Sequence, residues 1–405
     1  MREIITHAPI QTRSDTLHKQ ERMSSLLASE AIIRIKEYAT GKAYPRIDLW
    51  NTIGAKAETD YQKNCQPDET RNTFVQFQIN ERYRLLGSFY DISPNGRVSI
   101  RDDSSDYQDF VLSQIKRFLD MGIFVVSSGS FLRCDLCDYV FAPSQAAIAA
   151  CPQCKDSNLV PTQKTGLFMP ISTQQRSEAA SSVKVYPQKT GLCELKRHLF
   201  TLPDNIQISK QREFGVCLAD FGVDPEFVLD PKISLAMMGL FLRHGYGDLH
   251  TVIQGIDSLG NLAPYLAIID NKPPEFVVHG TLPPIDSSKI NPAKASFYFP
   301  FLVLTALALP NGISQEKLKC LSVEFQRTIN QARYAISHIN GLPSDNQEQT
   351  NTPFPKEVLE NFLNYHPQLG YQQLHCYIYE QLSHNPNSSL LRDIRQMVEL
   401  FYGKI

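Results

Sequence analysis

F-L-R-C-D-L-C-D-Y-V-F (Phe131–Phe141) and A-A-C-P-Q-C-K-D-S (Ala149–Ser157) set four cysteines, Cys134, Cys137, Cys151 and Cys154, in the pattern C-x-x-C, 13 residues, C-x-x-C. Zinc takes four thiolates at tetrahedral corners, and each C-x-x-C presents two of them from one tight turn. The first doublet lies beside strand-forming residues and the second stands on its own turn, the layout of a zinc ribbon. Four thiolates close the coordination sphere, so the expected ion is structural and leaves no position for a substrate. The chemistry has to be sought in the chain around it.

Outward from the cysteines the pattern is mixed. Asp106 to Met121 has helical spacing, and the Ser/Gln-rich stretch Ser172 to Lys184 reads as a loop or linker. Farther out, Glu3 to Ala8 reads as a short buried strand and Leu17 to Tyr38 as a long amphipathic helix. Ile47 to Ile53 is a second strand, ended by Gly54. Strand, helix, strand is the opening of a parallel α/β domain. It resumes after the cysteines with strands at Leu249 to Gln254 and Glu275 to Val278, and from Ser314 onward the periodicity is helical. Gly341 to Pro355 is a polar connector within that helical region. The expected divisions are 1–64 and 196–296 for two halves of one nucleotide-binding domain, 65–195 for an insertion, and 297–405 for a linker and helical region.

Composition narrows the class. A chain of 405 residues exceeds one ordinary core, so several domains are expected. The five remaining cysteines are scattered singles, which argues for a reducing compartment, and no apolar signal segment opens the sequence. The expected location is therefore the cytoplasm. The apolar run Phe301 to Leu309, bracketed by Pro300 and Pro310, is too short to span a bilayer and reads as a buried helix. A net charge of −2 gives no general attraction to nucleic acid. His244 and His250 flank a glycine-bearing turn, but two histidines without a third ligand read as a turn.

In order along the chain, L-L-G-S-F-Y-D-I-S (Leu85–Ser93), the helical segment before the cysteines, the cysteine quartet, I-S-K-Q-R-E-F-G-V (Ile208–Val216), F-V-L-D-P (Phe227–Pro231) and V-I-Q-G-I-D (Val252–Asp257) are similar to segments of the class I aminoacyl-tRNA synthetases. The chain resembles the methionyl-tRNA synthetase family in particular, over most of residues 3 to 300. The resemblance implies an α/β fold: a Rossmann domain split by a zinc-bearing insertion and followed by an α-helical region. It also implies ATP with magnesium as substrate and an acyl-adenylate as product.

The family's signatures are altered. Asp15-Thr16-Leu17-His18 matches H-x-G-H, in which imidazoles and helix amides meet ATP phosphates, and only His18 is retained. Asp286-Ser287-Ser288-Lys289-Ile290, after the family-like His279 to Leu282, matches K-M-S-K-S and retains Ser288 and Lys289. The resemblance thus gives His18 and Lys289 catalytic roles on the phosphates, and Ser288, Gly255 and Asp257 nucleotide contacts, with Asp257 on the ribose. The substrate pocket aligns with Ala8, Ile10, Ile53 and Val228. Ile53 stands where the family has the aspartate that binds the substrate ammonium, and an aliphatic side chain leaves a buried charge unpaired. Three functions follow. The first is a ligase with a changed acid or acceptor. The second is a non-catalytic binding or regulatory protein. The third is a short-form tRNA-charging enzyme. The expected partner is a small carboxylic or amino acid; tRNA is less favoured, and a membrane is not expected.

Overall fold

The computed structural model describes residues 2–90, 92–141 and 150–280, with single positions between 330 and 380. The first part runs β1 (Glu3–His7), β2 (Ile10–Gln11), α1 (Ser24–Thr40), β3 (Arg46–Asn51), α2 (Ala55–Asn64), α3 (Arg71–Tyr90), β4 (Arg97–Arg101) and α4 (Ser105–Asp120). The middle part runs β5 (Val125–Cys134), β6 (Val140–Phe141), β7 (Leu159–Pro170), α5 (Thr173–Ser182), β8 (Val185–Tyr186), α6 (Gln188–Thr201), β9 (Asn205–Gln207), β10 (Ser209–Gln211) and β11 (Phe227–Leu229). The last described part is α7 (Pro231–Gly245), β12 (Asp248–Gly255), α8 (Leu259–Ile269) and β13 (Glu275–His279).

Two parallel sheets meet at the first strand. β1 pairs with β12, β12 with β13, and β13 with β8. Past Pro9 the same strand continues as β2, which pairs with β3, and β3 pairs with β4. Thr6 Oγ1 also donates to the Ile47 carbonyl at 2.8 Å, tying β1 to β3. Across this layer the order is therefore β4, β3, β1 with β2, β12, β13, β8, all parallel. Such strands are covered on both faces, which is why Ile4, Ile5, Leu49, Val252, Phe276 and Val278 are all buried. Two of the strands, β4 and β8, fall inside the stretch 65–195 that the sequence assigns to the insertion.

Two elements differ from the sequence expectation. The helix expected from Leu17 opens at Ser24; before it come two 3-10 turns, Ser14–Thr16 and Gln20–Met23. Tertiary bonds hold the first of these turns. Buried Arg82 donates to the carbonyls of Gln11 (3.4 Å) and Arg13 (2.7 Å) and to Thr16 Oγ1 (3.1 Å), while Asp60 accepts from the Ser14 amide at 2.8 Å. These bonds hold residues 11–16, ahead of Leu17, in an irregular turn. The loop expected over Ser172 to Lys184 is instead helix α5. Ser172 and Gln175 form a reciprocal capping box, and Ala179 and Ala180 bury one face.

The cysteine module is an antiparallel layer ordered β6, β5, β7, β9, in which β5 and β7 pair over their length. Its core is continuous with that of the parallel layer: Phe131, Leu167 and Phe227 pack in the same cluster as Met237, Leu259, Leu266 and Phe276. Each fully buried side chain of this size contributes roughly 1.5–3 kcal/mol. Gly239 lets α7 and α8 approach closely, since a Cβ there would lie 3.0 Å from Leu266. Apart from those single positions, the helical region expected from Ser314 lies outside the described residues, as do the connector Gly341 to Pro355 and the run Phe301 to Leu309.

Candidate functional site

Where a parallel sheet reverses its strand order, neighbouring connections leave in opposite directions and open a crevice beyond the carboxyl ends of the strands. Here the reversal falls between β1 and β12. α1 follows β1 and β2, so its N-terminus lies at that edge. Ser25, in its first turn, meets the ring of His279 at the end of β13, with Oγ to Nε2 at 2.8 Å. His279 Nδ1 lies 2.9 Å from the Gly280 carbonyl and so carries the proton, leaving Nε2 to accept from Ser25. Burial lowers the His279 pKa, the Gly280 carbonyl and Asp257 opposing, so the ring is neutral. Gly255 is its register partner across β12 and β13, and a Cβ at Gly255 would lie 3.3 Å from His279 Cε1. The missing side chain makes room for the His279 ring against the end of β12.

The sequence-derived residues divide accordingly. Gly255 ends β12 and Asp257 follows, exposed, in a 3-10 turn that leads into α8. Ala8 is half-buried just past β1; Ile10 in β2 and Ile53 just past β3 are buried. Val228 is also buried, in β11, against the backbone of Gly215. His18 is exposed in the turn between the two 3-10 segments, and Gln20–Met23 occupies the position immediately before α1. Ser288 and Lys289 lie outside the described residues. His279 appeared in the sequence only as part of a matching frame; a polar residue closing the apolar run Phe276 to Val278 was its signal.

The walls of the edge are held by charged groups. Asp102, just past β4, is fully buried. Its Oδ1 accepts from the Thr52 amide (2.7 Å), Thr52 Oγ1 (2.6 Å) and the Ile53 amide (3.3 Å), fixing the turn that carries Ile53. Burial pushes its pKa up to about 7 against the Thr52 hydrogen bonds. Arg71 donates to the Thr52 carbonyl (2.9 Å) and to Asp103 (2.9 Å), and its guanidinium sits 4.6 Å from the Phe214 ring centroid. Phe214 belongs to the loop between β10 and β11, whose Arg212 pairs with Glu58 of α2. Gln211, one residue earlier, accepts from the Val140 amide beside the cysteines. A continuous set of contacts thus runs from the cysteine module to the turn at Ile53.

The four thiols themselves converge. Cys134 and Cys154 Sγ are 3.4 Å apart, Cys137 and Cys151 Sγ 3.6 Å, and all four lie within 4.8 Å of one another. Tetrahedral zinc with bonds of about 2.3 Å needs sulfurs about 3.8 Å apart, so the donor set and its spacing fit. The two turns are built alike. Asp138 N donates to the Cys134 carbonyl (2.9 Å) and Lys155 N to the Cys151 carbonyl (3.0 Å). Asp138 and Lys155 both have positive φ, 54° and 68°. Left-handed non-glycine residues each cost on the order of 1 kcal/mol or more, a cost that a bound metal would offset. Among the described residues no other group of three or more His, Cys, Asp or Glu side chains could hold a metal; His244 and His250 are not drawn together with a third ligand.

No family model matches the sequence, and a search of curated proteins returns no match. Solved structures do match. The methionyl-tRNA synthetase of Mycobacterium tuberculosis in complex with methionyl-adenylate superposes with a TM-score of 0.70 at 12% identity, over 99% of this chain and 92% of that one. Its free-state form gives 0.64 at 13% identity, over 99% and 90%. The fold is that of the class I aminoacyl-tRNA synthetases. A leucyl-tRNA synthetase of Agrobacterium radiobacter in a ternary complex with tRNA gives 0.67 at 10% identity, over 99% and 83%. The synthetase-type fold expected from the sequence is therefore present, and identities this low speak for the fold alone.

Proposed function

We propose that this chain is a methionyl-tRNA synthetase-like, ATP-dependent ligase that converts a carboxylic acid into its acyl-adenylate, with a substrate or acceptor other than methionine and its tRNA. The observation that supports this is the Ser25–His279 contact, which brings the first turn of α1 to the strand ends at the switch point, beside Gly255 and the Asp257 carboxylate. Helix amides attract phosphate, and a carboxylate after the strand suits a ribose diol. In the proposed reaction the substrate carboxylate attacks the α-phosphate of ATP and pyrophosphate leaves with its magnesium. His18 and Lys289 stabilise the charge on the phosphates, and Ser288 contacts the nucleotide. The ion at the cysteines is zinc with a structural role. The protein works in the cytoplasm; no helix among the described residues is long and apolar enough to cross a membrane.

One observation favours a second reading, a non-catalytic binder. His18 is exposed, and the turn ahead of α1 is built by Gln20–Met23, which contains neither histidine nor glycine. ATP–pyrophosphate exchange over a panel of carboxylic and amino acids separates the two. The ligase shows acid-dependent exchange that falls at least tenfold in His18→Ala. ATP binding by thermal shift with no exchange for any acid selects the binder. Exchange that requires added tRNA selects tRNA charging.

A further inference from the structure

Gln254, the last residue but one of β12, is fully buried, and neither Oε1 nor Nε2 of its side chain has a hydrogen-bond partner among the described residues. Strand register fixes its place. On one side it stands opposite Val278 of β13. On the other, His7 is opposite Ile253 and the Ala8 amide donates to the Ile253 carbonyl at 2.8 Å, so Ala8 is its neighbour. Residues at one level of a sheet share a face, and the face alternates along each strand. Val252 and Val278, on the face of Gln254, belong to the core shared with α7 and α8, and a Cβ at Gly191 of α6 would lie 3.8 Å from Val278. Gly255 and His279, one residue on, take the opposite face, where His279 meets Ser25 of α1. The side chains around the Gln254 amide are therefore apolar and cannot satisfy it.

A carboxamide desolvated with both ends unpaired costs the fold stability that methionine in the same place would not cost. Ala8, already placed in the substrate pocket, and Gly255, next in the chain, are both half-buried, so the amide lies directly beneath a part of the crevice that reaches solvent. Two further atoms belong to the same face. Leu49 of β3 and Ile100 of β4 are register partners in the shared core, and two residues beyond them Asn51 Oδ1 and Asp102 Oδ2 are buried without a partner. The carboxyl ends of β12, β3 and β4 thus all bring unpaired polar atoms to one face of the sheet. The chemistry of Gln254 selects what meets it. Nε2 donates and Oε1 accepts, so a matching group both accepts and donates. A carboxamide or a hydroxyl does so, whereas a carboxylate only accepts, an ammonium only donates and an alkyl chain does neither.

We propose that Gln254 sets substrate specificity by hydrogen-bonding an uncharged polar group, a carboxamide or a hydroxyl, in the tail of the acid. This rests on the acyl-adenylate reading for the acid being a substrate, and its test is read by binding and stability rather than turnover. Calorimetry on the full chain without ATP compares glutamine, asparagine and homoserine with norleucine, methionine, glutamate and lysine. Glutaramate, 4-hydroxybutyrate and hexanoate repeat the comparison without the ammonium, and ATP is titrated alone. Wild type binds at least one carboxamide or hydroxy acid about ten- to a hundredfold more tightly than its apolar counterpart, the range of one or two lost hydrogen bonds. The order of carboxamide and hydroxyl names the group. Gln254→Met abolishes or reverses this preference, and without ligand its urea midpoint equals or exceeds that of wild type, because an unpaired buried amide has been removed. Wild type that binds none of the polar acids, or binds an apolar or charged acid more tightly, overturns the proposal. So does a preference that survives in Gln254→Met, or a lowered midpoint in that variant, which would show the amide bonded within the fold. Polar acids that bind through Gln254 while ATP does not bind at all would keep this site and remove the ligase reading; ATP–pyrophosphate exchange supported by apolar acids alone would do the reverse.

Discussion

Arg97→Met tests the charged core beneath the switch point. Arg97 donates through Nε (2.6 Å) and Nη2 (2.7 Å) to both oxygens of Asp48, and through Nη1 to Glu30 at 2.8 Å. Asp48 is fully buried, accepts also from the Tyr83 hydroxyl at 2.7 Å, and lies 3.4 Å from His7. Methionine keeps the apolar stem and strands two buried carboxylates. Removing one partner of a buried pair costs about 3–5 kcal/mol; Glu30 retains Arg34 and Asp48 retains Tyr83, so about 3 kcal/mol is expected. Trp50 is the only tryptophan, fully buried, edge-on to Tyr83 at 5.7 Å and bonded to Ser99, so its emission during urea unfolding reports this region. The pH dependence supplies the sign. In wild type burial raises the Asp48 pKa, but hydrogen bonds from Arg97 and His7 and their charges outweigh it and hold the group well below the usual carboxylate range. That stability is present above the unfolded value of about 3.9 and is lost as pH falls through the lower folded value. Without the guanidinium burial prevails, so the penalty is largest near pH 8 and shrinks toward pH 5 as the carboxyls take up protons. A cost below about 1 kcal/mol at pH 8, or one that grows on acidification, would refute the role given to Arg97.

Two further outcomes are expected. Metal analysis of the purified chain finds zinc at about one per chain, and Cys151→Ser, which removes a buried thiol, lowers it to a small fraction; full retention in that variant rules out the quartet as the ligand set. For Asp102 the folded pKa of about 7 lies above the unfolded value, so its contribution is fully present below about pH 4 and is lost as pH rises through 7. Asp102→Asn keeps an acceptor for Thr52 and Ile53 and removes the titration. It should match wild type near pH 4 and exceed it by about 3–4 kcal/mol at pH 8, about 1.36 kcal/mol for each of the roughly three pH units between the unfolded and folded values, measured by denaturant unfolding at both; equal differences at the two pH values contradict the assigned shift.

What could be read from the residues follows from how local each signal is. The strands at Glu3, Ile47, Leu249 and Glu275 were legible because a parallel strand covered on both faces needs a continuous apolar run. The cysteines were legible because a chelating turn is complete within four residues. β4 (R-V-S-I-R) and β8 (Val-Tyr) gave no such run, being an edge strand and a two-residue pairing. The start of α1 was misread because Leu17 fits the helical period, while Arg82 and Asp60, which hold the turn just ahead of it at Ser14–Thr16, are distant in sequence. That error bears on chemistry, because a phosphate at a helix N-terminus is met only by side chains within the first turn or just before it. His18 is six residues ahead of Ser24, whereas Gly255 is set by strand register, so the two supports of the nucleotide site are unequal.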